Sequence, residues 1–355
     1  MIKQIIRLLD EKYFFIDEKI DIYKYFCKEA IKLNPEINIT VARRLNQLLM
    51  MFNDPHLSFQ PSYDILSSRQ IPMFFYSDKC YCSLDNSIKE VTAIDNMSIS
   101  DALNLFPCSN KQQQYSACLT DILLSDKSEL MVQFVDSSTE TISLDRKIRH
   151  SSNKDNIINK ILNANQIIGN TGIIKIISFG YPHQYESFVN TLNQLSHCSN
   201  LLVDLRSNHG GIINDAIKCV SHLINKEVFL HFLKTKETET PVIIYPNKNN
   251  LKFDKIIILQ DEFTSSCAET VFISALINSG ENVITVGQPS SGWFSQATKF
   301  SFKDNSSLTI TSGVYLDKNK NIIPNIGIKP DKLLNLSPLS NLDYSKILEL
   351  EAANL

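Results

Sequence analysis

At 355 residues, with 43% hydrophobic and 21% charged side chains, the chain is long enough for two or three buried cores and is neither disordered nor fibrous in composition. A formal charge of −3 provides no basic field for nucleic acid, and no apolar run approaches the ~18 residues of a membrane span. The eight cysteines are scattered through apolar segments, and Met1–Arg7 runs into Asp10 and Glu11 without the apolar centre of a secretion signal, so a cytoplasmic protein with reduced thiols is expected.

Residues 1–62 read as an N-terminal helical region, with Ile5, Leu8 and Leu9 on one face and Ala42, Leu45, Leu48 and Leu49 on another. His56 follows in Asn53-Asp54-Pro55-His56, which is also ordinary turn chemistry. Residues 68–147 alternate apolar and polar, as in 90–95 and 130–135, with a short helix at 99–106; this predicts a small β-rich cap or PDZ-like domain. Cys80 and Cys82 point to one face of a strand, and no second pair stands at zinc-site spacing. All ten glycines lie after residue 168, so the cap has no glycine loop with which to capture a peptide carboxylate. Residues 148–167, rich in Asn, Lys and Ser, are expected to be a linker. From 168 to 338, strands alternate with helices at 184–196, 212–224 and 267–279, the pattern of an α/β core with a mainly parallel sheet. Residues 339–355 form a C-terminal tail.

Two strand-to-helix turns in that core carry the chemistry. Asn200–Leu205 is followed by Gly210-Gly211, the one adjacent glycine pair in the chain, and then by an apolar helical face made by Ile212, Ile213, Ala216, Ile217 and Val220. Ile256–Leu259 leads to Ser266-Cys267-Ala268-Glu269 and a helix marked by Val271, Phe272, Ala275 and Leu276. Ser266 thus falls in a first helical turn, where unpaired N–H groups can hold negative charge. Ser266-x-x-Glu269 is equally a capping box, and on that segment alone the cap is the commoner outcome. The glycine pair shifts the balance: neighbouring parallel strands would bring the N–H of Gly210 or Gly211 close to that of Cys267, an oxyanion hole in outline. Cys267 borders the serine at a helix start, where thiol pKa values fall, and is the second candidate nucleophile.

With Asp204-Leu205-Arg206, the glycine pair, the serine before Ala268-Glu269, Gly172–Phe179 and Gly327-Ile328-Lys329-Pro330-Asp331 in order, the chain resembles the S41 peptidases, the C-terminal processing and tricorn-core family. Tyr13–Asp17 and Asp54-x-His56 resemble the lead-in and the histidine that some members carry. The resemblance implies a crotonase-like spiral core and a serine endopeptidase acting through an acyl-enzyme on Ser266. One branch of the family uses a lysine as base, and Trp293, which follows Gly292, stands at that position; an indole cannot take the proton. The tricorn-like branch uses a histidine, which His56 matches, with an ordinary pKa of about 6.5 suited to a base near neutrality. That branch's orienting glutamate is replaced by Pro324, followed by Asn325. The candidate site is therefore Ser266 and His56 as catalytic pair, Gly210, Gly211 and Cys267 as backbone oxyanion donors, and Trp293 in the substrate groove. His209 is expected at the rim, Asp204 and Arg206 as a structural ion pair, and Glu269 as support for the serine loop. A peptide or protein substrate is implied, with no metal, cofactor, nucleic acid or membrane. The alternative is a catalytically impaired module of the same fold that binds a peptide or an apolar ligand.

Overall fold

The computed structural model describes residues 1–34, 36–62, 71–76, 78–84, 87–106, 108, 111–145, 166–180, 184–334 and 344–352. They fall into two compact units, Met1–His150 with Gln296–Gly313, and Ser151–Ser295 with Val314–Leu355. The expected linker at 148–167 lies outside the described residues except for 166 and 167, which open a strand.

In the first unit, α1 (Ile2–Lys12), α2 (Ile20–Ala30) and α3 (Ile39–Met50) bury residues at helical spacing, among them Ile5 and Leu9 in α1 and Ala42, Leu45, Leu48 and Leu49 in α3. Asn38 starts α3 by accepting the Val41 N–H at 2.9 Å. Buried Asn46 of α3 holds β1 (Ser58–Gln60) through both main-chain groups of one residue, donating to Phe59 O at 2.7 Å and accepting the Phe59 N–H at 2.9 Å. β1 pairs antiparallel with a much later strand, Ser58 opposite Thr309 and Gln60 opposite Ser307, and Leu308 and Ile310 join the core of α1 and α3. Pairing and core burial together bring Gln296–Gly313 back to this unit.

The rest of the first unit is an antiparallel sheet of β2 (Met73–Tyr76), β3 (Lys79–Leu84), β4 (Ser87–Ile94), β5 (Met97–Ser98), β6 (Glu129–Phe134) and β7 (Thr139–Ser143). Its order is β2-β3-β4-β6-β7, with β5 on β4. The expected short helix is α4 (Ile99–Asn104), and a second helix, α5 (Lys111–Leu123), covers the same core. Cys80 and Cys82 do share a face, buried with Cys118 of α5.

The second unit is built on β8 (Gln166–Ile168), β9 (Thr171–Lys175), β10 (Asn200–Asp204), β13 (Lys255–Gln260) and β14 (Val283–Gly287), with α6 (Gln184–Gln194) and α7 (Ile213–Ser221) in the crossovers and the hairpin β11 (Val228–Thr235)–β12 (Glu239–Ile244) between α7 and β13. Lys332–Leu333, β14, β13, β10 and β9 lie side by side in parallel, and β8 is antiparallel at one edge. The central strands read as unbroken aliphatic runs because both faces are covered. Leu201, Val203, Ile256 and Ile258 enter the core under α6 and α7. Leu202, Ile257 and Leu259 enter a second core closed by Ile347 of the C-terminal helix, Tyr344–Ala352. Since both turns of interest leave the carboxyl ends of neighbouring strands, β10 and β13, the sheet itself sets them side by side.

Candidate active site

The last residues of β13 pass into a loop organised by buried Asp261. Its carboxylate accepts the N–H groups of Phe263 and Thr264 in its own turn, at 3.1 and 3.0 Å, and that of Ser207 in the loop after β10, at 2.9 Å. Burial pushes the Asp261 carboxyl up, and the N–H groups of Ser207 and Phe263 with the Thr264 hydroxyl oppose the rise. Thr264 Oγ1 donates to Leu205 O at 2.9 Å and Ser265 N–H to Asn208 O at 2.9 Å, so the two loops are stitched together at three levels.

On this scaffold Ser266 takes a left-handed backbone, φ 55°, and its side chain is part-exposed. The expected helix at 267–279 begins as a π-helix, Ala268–Ile273, and continues as α8 (Ser274–Ser279) up to Gly280. Ser274 Oγ donates to Glu269 O at 2.7 Å within the widened turn. The helix's N-cap residue is Cys267, with no side-chain cap bond. Half of the expected capping box therefore forms, the Ser266 N–H donating to Glu269 Oε1 at 3.1 Å, while the serine hydroxyl does not cap.

The glycine pair lies directly against this turn. A Cβ on Gly210, φ 82°, would stand 2.7 Å from Ser266 Cβ and 3.0 Å from Cys267 N; one on Gly211, φ 138°, would stand 1.5 Å from Phe179 O. The backbone of Phe179 donates to Gly210 O at 2.7 Å and accepts from Ile212 N–H at 2.6 Å, which fixes the pair from the opposite side. The two expected glycine donors are not equivalent. The Gly210 N–H is taken by Asn208 Oδ1 at 2.8 Å, so Gly210 is corrected from donor to close-approach residue. Among the described residues the N–H groups of Gly211 and Cys267 donate to no oxygen, and both act on the Cys267 sulfur.

Cys267 itself is corrected as an alternative nucleophile. Its thiol is buried and pushed up to about 12, the reverse of the expected helix-start effect, because burial outweighs the nearby amides. Glu269 is fully buried, and burial pushes it up to about 7 against four donors: the Ser290 hydroxyl and the N–H groups of Gly292, Trp293 and Ser266. Trp293, half-buried, thereby joins the serine turn through its main chain. His209 is an exposed rim residue set edge-on to Phe263, with ring centroids 6.3 Å apart. Asp204 and Arg206 form a buried ion pair, at 2.8 and 2.6 Å, and Asp204 also accepts the Tyr344 hydroxyl at 2.9 Å.

His56 belongs to the first unit. Its N–H donates to Asp54 Oδ1 at 2.9 Å in a turn where Asn53 has φ 49°, and Thr311 Oγ1 donates to the same oxygen at 2.7 Å. The imidazole is buried, which pushes it below its ordinary pKa, with the Asp54 charge opposing. Asn208, Asp261 and Ser290 escaped the sequence reading. An Asn two residues before a glycine pair and an Asp at a strand end are both turn signals, but their partners are non-local.

Residues 170–334 match the family model of peptidase family S41. The chain is 29% identical over 199 residues to the Nisin-resistance protein of Lactococcus lactis subsp. lactis, covering 51% of this chain and 62% of that protein. It is 31% identical over 147 residues to the Probable CtpA-like serine protease of Staphylococcus aureus strain N315, covering 40% of this chain and 29% of that one. The chain thus spans less than two thirds of the length of either relative. Among solved structures, mature CPAF complexed with lactacystin matches with a TM-score of 0.71 at 13% identity, over 99% of this chain and 96% of that one. The photosystem II D1 C-terminal processing protease matches at 0.57 and 15%, over 94% and 92%; the tricorn protease matches at 0.51 and 15%, over 100% of this chain and 36% of that one. At these identities the structural likeness is one of fold, a mixed α/β architecture. The resemblance read from the sequence is thus met, across residues 170–334, by the family model of peptidase family S41.

Proposed function

We propose that the chain is a serine endopeptidase in which Ser266 attacks a peptide carbonyl, His56 takes the serine proton, and the amides of Gly211 and Cys267 hold the tetrahedral oxyanion. The single observation that carries this reading is the state of Ser266: a non-glycine residue held left-handed at the tip of a tightly bonded turn, its hydroxyl unused for capping, beside two amides that donate to no oxygen among the described residues. Backbone strain of this kind persists where surrounding structure over-determines it, and functional turns are where it collects. A depressed imidazole pKa favours the neutral form of His56, the form able to accept the proton. The imidazolium then gives that proton to the leaving amine. An acyl-enzyme remains on Ser266 and is hydrolysed by water that His56 activates in turn.

In this reading the parallel-sheet unit is a crotonase-like core of the tricorn-like branch, and the antiparallel sheet of the first unit is a PDZ-like cap. Trp293 lines the substrate groove, since its main chain is fixed by the carboxylate that also holds Ser266. An intracellular, reducing location accords with eight free cysteines, most of them buried. Hydrolysis of a quenched unstructured peptide by the wild type, Ser266→Ala and His56→Ala tests the assignment. Activity in the wild type that falls by several orders of magnitude in both variants is expected. A folded wild type without activity favours the binding module, for which Pro324 at the position of the branch's glutamate is the supporting observation.

A further inference from the structure

Glu269 takes no chemical part in the reaction above, yet each of its carboxylate oxygens accepts two bonds. Oε1 takes the N–H of Ser266 at 3.1 Å and of Trp293 at 2.6 Å; Oε2 takes the N–H of Gly292 at 3.0 Å and the Ser290 hydroxyl. The Ser290 oxygen in turn accepts the Ile328 N–H at 2.7 Å, which commits its one proton to Glu269. Gly292 packs so closely on the next segment that a Cβ there would stand 2.7 Å from Gly327 N. A helix-capping glutamate needs only the first of these four bonds. The other three come from a segment more than twenty residues later in the chain.

We infer that Glu269 is a positioning residue that locks the serine turn and the Ser290–Trp293 segment into one rigid piece, so that the sole tryptophan registers the state of Ser266. The inference rests on the hydrolase reading for its kinetic part only. Its chemistry requires a carboxylate. Glutamine offers one acceptor oxygen and one NH2 group, so it can serve the Ser266–Trp293 pair or the Ser290–Gly292 pair but not both. A buried amide donor is then left facing another donor.

Hydrogen exchange read by mass spectrometry on the full chain tests this without reference to activity. In Glu269→Gln the peptides covering 262–268 and 288–295 are expected to exchange together, roughly tenfold faster or more, while those covering β10 and β13 keep wild-type protection. Ser290→Ala removes one of the four donors and is expected to speed the same two peptides by a smaller common factor, which keeps the test open should the first variant fold poorly. Loosening of 262–268 alone reduces Glu269 to a cap and overturns the inference, as does no change in either peptide. The second readout is Trp293 emission during acylation by a fluorophosphonate. The wild type is expected to show a shift that follows labelling, and Glu269→Gln slower labelling with the shift abolished. An undiminished shift in that variant contradicts the coupling. Should the wild type take no label, the hydrolase reading fails while the exchange experiment still decides the role of Glu269.

Discussion

At Ser266 the backbone opposes the residue it carries. A left-handed conformation costs an L-residue with a Cβ about 1 kcal/mol or more, and φ 55° puts Ser266 there. Ser266→Gly is therefore expected to be more stable than Ser266→Ala by about 1 kcal/mol in chemical denaturation, both being inactive; equal stabilities would mean that the turn is not strained. Gly210 works by the absence of a side chain. Gly210→Ala places a methyl group 2.7 Å from Ser266 Cβ at φ 82°, and serine labelling is expected to slow by about a hundredfold, with a lowered melting temperature from the strained backbone; an unchanged labelling rate would contradict the close approach. His56 supplies a pH test. Because burial holds its pKa below the ordinary value, the neutral base survives to lower pH, and the acid limb of the labelling rate is expected to have its midpoint below about 6.5. A limb at or above that value would assign the ionisation to another group.

At the scale of elements, what was legible in the sequence follows local periodicity, and what was not depends on distant partners. The aliphatic runs of β10 and β13 announced strands buried on two faces, and Leu202 and Ile257 do enter a different core from Leu201 and Ile256. The glycine pair and the serine turn were legible because both sit where such a strand gives way to a helix. Three things were not. The return of Gln296–Gly313 to the first unit depends on pairing Ser58 with Thr309 across the length of the chain. The occupied Gly210 amide depends on the orientation of one Asn208 side chain. The raised Cys267 thiol depends on burial, which a helix-start rule does not count. The C-terminal helix, legible only as a tail, closes the second face of the sheet with Ile347, 2% exposed among Ile173, Leu202 and Ile257. Ile347→Ala is expected to lower unfolding stability by about 3 kcal/mol, and a loss below about 0.5 kcal/mol in urea denaturation would show that this helix contributes little.

For the molecule as a whole, two units share one chain that crosses between them more than once. Acid stability is set in part by a buried histidine of β11. His231, buried and 4.0 Å from the Tyr315 ring centroid to centroid, is pushed down to about 4 by burial. With an unfolded value of about 6.5, its contribution is fully present above that pH and is lost as pH falls toward 4, up to about 3 kcal/mol. His231→Phe should flatten the decline in melting temperature between those limits, and an unaltered decline would assign it to other groups. The most direct measurement on the central claim is intact-mass analysis of wild type and Ser266→Ala after incubation with a fluorophosphonate at neutral pH. A single adduct on the wild type, absent from Ser266→Ala and strongly slowed in His56→Ala, is the predicted result. A folded wild type that takes no adduct, or an adduct that persists in Ser266→Ala, would contradict it.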